Sequence, residues 1–169
     1  MKGMIKDALI LFAITLIAGL MLGVVNDITK EPIAQQEQKA KNEACQNVFA
    51  AADSFEAQEL ADSAQIEQAL TDAGISGADI DELMAAKDAS GALLGYVITV
   101  TDHEGYGGDI QFSMGITNEG TLNGISLLSI SETAGLGMRA GEVLVPQFAD
   151  KNVSKFTYTK TGATADSEI

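Results

Sequence analysis

The chain has 169 residues, with 24 acidic against 10 basic side chains and a formal net charge of −14 at pH 7. Such an acidic chain would repel nucleic-acid phosphates and the headgroups of anionic lipids, which argues against binding to either surface through charge. Cys45 is the only cysteine, which excludes an intrachain disulfide and an iron–sulfur cluster held by this chain alone.

The first predicted element is a membrane anchor. Residues 8–25 form an uncharged run of 18 residues in which Thr15 is the only polar side chain. As an α-helix this run would be about 27 Å long, close to the ~30 Å hydrocarbon core of a bilayer. Lysines precede the run and acidic residues follow it, so the positive-inside rule places residues 1–7 in the cytoplasm and the rest outside. A cleaved signal peptide is the alternative, but its apolar core would be shorter.

We therefore predict a single-pass anchor over residues 1–30 in the cytoplasmic membrane. After it, Pro32 suits the first turn of a new helix, and residues 33 to about 55 are rich in Ala, Gln, Glu and Lys. A short helix is predicted over residues 65–73, closed by a glycine. Residues 31–79 are interpreted as a helical stalk and linker ahead of an extracytoplasmic domain, 80–169.

From residue 80 the pattern is that of β-strands. Residues 83–86 and 92–100 flank an Asp-Ala-Ser-Gly turn sequence and predict a hairpin. Residues 109–117 and part of 122–130 alternate with period two on either side of an Asn-Glu-Gly turn. This order predicts an antiparallel meander with one buried face.

A glycine-rich turn follows the last of these strands. Residues 131–137 read Ser-Glu-Thr-Ala-Gly-Leu-Gly, and glycines between a strand and a helix let backbone approach a flat or anionic ligand closely. Residues 138–150 are predicted to be helical, although Pro146 limits the helix, and 155–159 is predicted to be a last strand. Helices at the ends and flank of a grouped antiparallel sheet make the fold class α+β.

Other motifs lack the context that their chemistry needs. Residues 135–140 fit the dinucleotide fingerprint G-x-G-x-x-A, but the preceding strands are predicted to be antiparallel, and Lys155 stands where an acidic residue is required. His103 has no partner at the spacing of a zinc site or a catalytic triad, and we predict that it lies in a solvated loop. We predict no catalytic residue and no metal ligand.

Three segments in this order resemble the covalent FMN-binding domain. They are Gly105-Tyr-Gly-Gly-Asp-Ile110, Ser131-Glu-Thr-Ala-Gly-Leu-Gly137 and Thr161-Gly-Ala-Thr164. That domain occurs in the RnfG protein of Rnf-type ferredoxin:NAD⁺ oxidoreductases and in the NqrC protein of sodium-translocating NADH:quinone reductases. The anchor followed by Thr29-Lys-Glu-Pro-Ile33 looks closest to the RnfG family.

The resemblance implies a site for FMN joined through its phosphate to a threonine. The cofactor-binding residues that it implies are Glu132, Thr133, Gly135, Leu136, Gly137, Tyr106, Gly107 and Thr164. By the same resemblance, Glu132 and Thr133 offer polar groups, and the glycines and Leu136 offer backbone approach and an apolar wall. The alternative for Glu132 and Thr133 is a capping pair for the following helix, and for Tyr106 an ordinary turn aromatic.

Two departures from the family pattern are visible. Ala134 stands where the family usually has proline. The family attaches its flavin to the threonine of Ser-Gly-Ala-Thr-x-Thr/Ser, whereas here Thr161 opens the motif and Asp166 stands two positions past Thr164. The last three residues resemble the lead-in to that motif. We therefore expect the sequence to stop short and the flavin threonine to lie just past Ile169, with Thr164 as the alternative.

The resemblance implies a non-catalytic electron-carrier subunit of an ion-translocating complex. Its FMN, outside the membrane, would pass electrons between a membrane-buried iron–sulfur centre and a second flavin in a large membrane subunit. The family couples electron transfer from reduced ferredoxin to NAD⁺ to the export of Na⁺ or H⁺. The alternatives are an anchored assembly or binding module without a cofactor, and the NqrC protein of a sodium-translocating NADH:quinone reductase.

Overall fold

The computed structural model describes residues 2–169, apart from the side chain of Lys2, so Met1 of the predicted anchor lies outside the described residues. Two compact units divide the chain, and the second begins at Lys41. Helix α1 runs from Lys2 to Val48 and contains Pro32 in its interior. It is the one helix among the described residues that is long and apolar enough to cross a membrane, judged by length and composition.

Two predictions about this helix are wrong. The helix continues through Pro32 instead of starting anew there, because one proline removes a single backbone hydrogen bond from a sequence that favours helix on both sides. The helix also ends at Val48 rather than near residue 55. Residues from Ser54 onward pair with a strand instead, which is a tertiary preference that composition does not reveal.

The second unit is built on a five-stranded antiparallel sheet with the strands in sequence order, which confirms the predicted meander and the α+β class. The strands are β1 (Ser54–Gln58), β2 (Ala78–Lys87), β3 (Leu93–Asp102), β4 (Ile110–Thr117) and β5 (Leu122–Ile130). Strand β1 was not predicted, because it is a short and mostly exposed edge strand without clear alternation. Helix α2, Ser63–Asp72, confirms the short predicted helix, and the carboxylate of Asp62 caps it by accepting the Ala64 N–H at 3.0 Å.

The core lies where the end of α1 and the turn after it pack on one face of the sheet. Its buried residues are Cys45, Val48, Phe49, Ala52, Ala86 and Val97. Glycines in the strands make room for this packing. A Cβ on Gly115 would lie 2.6 Å from the carbonyl oxygen of Val48, and one on Gly95 would lie 2.8 Å from the Phe49 ring.

The segment after β5 differs most from the prediction. Instead of one helix over 138–150, it forms two 3-10 turns on either side of a four-residue helix α3, Ala140–Val143. Pro146 sits in the first turn of the second 3-10 segment, where its missing N–H is tolerated. The predicted strand at 155–159 is also wrong, because Thr157 makes only an isolated bridge, to Glu168. The rings of Phe148 and Phe156, 5.0 Å apart, hold this segment by side-chain packing instead.

Candidate functional site

Two loops meet at one end of the sheet. The first, residues 103–109, joins β3 to β4, and the second, residues 131–136, follows β5. Strand β4 pairs with both neighbours, so Ile110 lies between Asp102 of β3 and Ile130 of β5. Seven of the eight predicted site residues lie in these two loops or at Gly137, the residue after the second. The register of the sheet therefore brings together two segments that are more than twenty residues apart in the sequence.

Glu132 joins the two loops. Its Oε1 accepts a hydrogen bond from the backbone N–H of Gly107 at 3.0 Å. A Cβ on Gly107 would lie 2.3 Å from the carbonyl oxygen of Ser131, and one on Gly137 would lie 2.5 Å from Cβ of Glu132. Gly107 and Gly137 are thus small because other parts of the protein approach them. The sequence had suggested approach by a ligand.

Gly135 has the opposite surroundings. Its backbone is left-handed, with φ at 79°, and no heavy atom lies within 4 Å of the position of a Cβ. The carbonyl oxygen of Thr133 accepts the N–H groups of Leu136 and Met138 at 3.1 and 3.3 Å, which closes the turn around this glycine. The backbone of Gly135 is therefore held in a defined shape and remains open on one side.

Apolar side chains project from the same end of the sheet. Leu136 is 74% exposed and Tyr106 is 94% exposed. Exposed aromatic and aliphatic groups beside an open, fixed backbone are the surroundings that a flat and partly apolar ligand requires.

The capping interpretation of Glu132 and Thr133 does not describe this structure. The 3-10 turn begins at Gly137, and its cap residue, Leu136, makes no side-chain capping bond. The Glu132 carboxylate is engaged with Gly107. Glu132 consequently acts here as a link between the loops.

Thr164 is held apart from this pair of loops. Oε2 of Glu168 accepts from the backbone N–H and from Oγ1 of Thr164, both at 2.7 Å. These bonds, the backbone one first, hold the pKa of the Glu168 carboxyl below its usual value. Two residues on, Asp166 lies 3.4 Å from Nζ of Lys151. The backbone of Lys151 pairs with Leu122 at the start of β5, whereas the glycine turn follows the other end of that strand.

The sequence analysis missed the environment of His103. The side chain is 43% exposed, so the loop is solvated as predicted, but both ring nitrogens contact carboxylates. Nδ1 lies 2.9 Å from Oδ1 of Asp109, and Nε2 lies 3.1 Å from Oδ2 of Asp79. Asp79 is 24 residues away, and only the pairing of β2 with β3 brings it near. Among residues 2–169, no group of three His, Cys, Asp or Glu side chains is arranged to hold a metal ion.

Two sequence families match different parts of the chain. Residues 1–48 match the RnfG N-terminal region, and residues 105–168 match the FMN-binding domain, so the second match contains both loops and Thr164. The chain is also similar to the RnfG-type component, lettered G, of the Na(+)-translocating ferredoxin:NAD(+) oxidoreductase complex of Acetobacterium woodii. The two are 29% identical over 166 residues, which is 98% of this chain and 78% of that relative.

Proposed function

We propose that this chain, an RnfG homologue with an FMN-binding domain, is an electron-carrier subunit of a membrane-bound Rnf complex. The observation that carries the proposal is the pair of loops joined by Glu132, which lies inside the FMN-binding match. Its proposed partners are the other membrane subunits, one with an iron–sulfur centre and one with a second FMN. Electrons would pass between those two centres through the flavin of this chain.

The residues of the two loops fit an isoalloxazine ring. Gly135 leaves open space on one side of a rigid turn, so its backbone can lie against a flat ring. Leu136 and Tyr106 offer exposed apolar surface on either side. Glu132 holds the loops together through Gly107, so their spacing is set before the ring arrives and less ordering is needed on binding. Bound FMN would supply the redox chemistry.

We also propose that the FMN is covalently attached, through its phosphate, to a threonine. Residues 26–169 carry eight basic and 23 acidic side chains, a net charge of −15, which would repel the phosphate dianion of free FMN. A tether prevents loss and keeps the ring at an effective concentration of order millimolar. Mapping the flavin-bearing peptide of the whole protein tests whether Thr164 is the attachment residue.

The proposed topology places the N-terminus in the cytoplasm and the FMN-binding domain outside the cytoplasmic membrane. Two lysines precede the apolar part of α1, while the rest of the chain is strongly acidic, which is the asymmetry of the positive-inside rule. By analogy with the name of the Acetobacterium woodii relative, electron flow would be coupled to ion translocation, with Na⁺ or H⁺ as the exported ion.

Fluorescence on a denaturing gel tests the cofactor directly. The whole protein is co-expressed with a flavin transferase, denatured, and viewed under ultraviolet light. We expect a fluorescent band at the position of the protein, because a phosphoester bond survives denaturation. A dark band, with the transferase shown to be active on a control substrate, would contradict covalent attachment. If the native protein also lacked flavin absorbance, an anchored module without a cofactor would remain.

A further inference from the structure

We infer that His103 is a positioning residue whose imidazolium ion clamps the 103–109 loop in the conformation that reaches Glu132. The clamp itself is argued from contacts among residues of this chain. Its importance for the flavin rests on the proposed function.

The clamp joins three points of the backbone. The N–H of His103 donates to the carbonyl oxygen of Gly77 at 2.7 Å, which fixes the first residue of the loop to the turn before β2. The ring then contacts Asp79 at the start of β2 and Asp109 at the end of the loop. Only the protonated ring donates from both nitrogens. A neutral ring has one N–H, and one carboxylate would then face a nitrogen without a proton.

The loop between the two ends of the clamp has little freedom. A Cβ on Gly105 would lie 2.1 Å from the carbonyl oxygen of Gly108, so the chain turns back closely on itself. Gly107, between these glycines and Asp109, donates to Glu132. Holding His103 and Asp109 together therefore sets the position of the Gly107 N–H, and with it the exposed ring of Tyr106.

The charges around His103 make its proton important. The groups that face it or neighbour it are all acidic: Asp79 and Asp81 on β2, Glu67 on α2, and Asp102, Glu104 and Asp109 along the loop. The described residues that line the groove between α2 and β2 include His103 but no lysine or arginine. Without the imidazolium charge, Asp79 and Asp109 would repel each other across the ring, and the loop would loosen.

The two carboxylates also set the pH range of the clamp. Hydrogen bonds to Asp109, and next to Asp79, raise the pKa of His103 from 6.5 to about 9. Because the folded protein holds this proton more tightly than the unfolded chain, the contribution to stability is fully present below pH 6.5. It is lost as the pH rises through about 9.

Two substitutions at one position separate the charge from the side chain. His103→Gln removes the charge, and His103→Arg keeps a permanent cation with several N–H donors. The measurement is the protection factor of the Gly107 amide against hydrogen exchange between pH 7 and 10, in the whole protein with and without FMN. This chain has one histidine, so no other imidazole titrates.

We expect protection in the wild type to fall about threefold to tenfold as the pH passes 9, the range that exposed ion pairs allow. Protection in His103→Gln should be low at every pH, and protection in His103→Arg should stay high and nearly constant. Wild-type protection in His103→Gln, or a fall above pH 9 that persists in His103→Arg, would overturn the inference.

A matched pair of carboxylate substitutions on β2 provides the control. Asp79→Asn and Asp81→Asn remove the same charge from the same strand, but only Asp79 contacts His103, whereas Asp81 accepts from Thr101 and Gln111. Only Asp79→Asn should lower the protection of Gly107, and an equal effect of both substitutions would overturn the inference. In flavin-loaded protein, the absorption spectrum and midpoint potential should shift with the same pH dependence. A wild-type protein without flavin, with the clamp behaving as expected, would contradict the proposed function alone.

Discussion

Replacing Phe49 with alanine should lower the free energy of unfolding by about 3 to 5 kcal/mol, the usual range for truncating a buried aromatic side chain. Phe49 is 4% exposed and packs in the core with Val48 and Val97. Its ring fills the space that Gly95 and Gly115 leave above the sheet. The strand backbones cannot easily collapse into that space, so we expect a cavity to remain. The measurement is denaturant unfolding of the whole protein in detergent, followed by the circular dichroism of the sheet.

Tyr158→Ala is the matched control for this prediction. Tyr158 is also aromatic but is 70% exposed, and surface substitutions usually change stability by less than about 0.5 kcal/mol. A loss below about 1 kcal/mol in Phe49→Ala would mean that the end of α1 contributes little to the core of the domain.

Gly107→Ala should separate the two loops and sharply reduce the flavin content of the protein. The new Cβ would lie 2.3 Å from the carbonyl oxygen of Ser131. That oxygen belongs to the backbone, so it cannot rotate away, and such overpacking typically costs about 1 to 3 kcal/mol. The hydrogen bond from Gly107 to Glu132 would be lost at the same time. The measurement is FMN absorbance per mole of purified protein, with circular dichroism to show that the sheet is intact.

Gly141→Ala serves as the comparison, because it adds the same methyl group in the segment after β5. Its Cβ would meet only Cδ1 of Leu127, at an ordinary contact distance of 3.7 Å. We expect wild-type flavin content in this variant. If Gly107→Ala also kept its full flavin content with an intact sheet, the close contact between the loops would be irrelevant to the cofactor.

The sequence predicted those parts of the fold that depend on local patterning. Strands β4 and β5 have the predicted residues to within one position, because alternation and turn glycines specify them. Strand β1 was missed because it gains its order from pairing with β2 and buries little of its own surface. The segment at 155–159 alternates like a strand, but the start of edge strand β5 is occupied by Lys151 instead.

The candidate site was predicted by a different route. The glycine turn was visible in the sequence, but its association with Tyr106 and Gly107 came from resemblance to a family. Nothing in the spacing of Gly107 and Glu132 indicates that one binds the other, because the contact depends on the register of three strands. The same is true of His103 and Asp79. Local sequence patterns predict elements, whereas contacts between loops depend on how the sheet aligns them.

The burial of Cys45 has a practical consequence for work on this protein. The only thiol of the chain is 3% exposed and lies 3.6 Å from the sulfur of Met84. In an oxidising environment an accessible lone thiol would link chains into disulfide dimers, and burial protects this one from that reaction. A thiol reagent can reach Cys45 only when the core opens. The rate of labelling therefore reports transient opening of the core in the native protein, without any engineered probe.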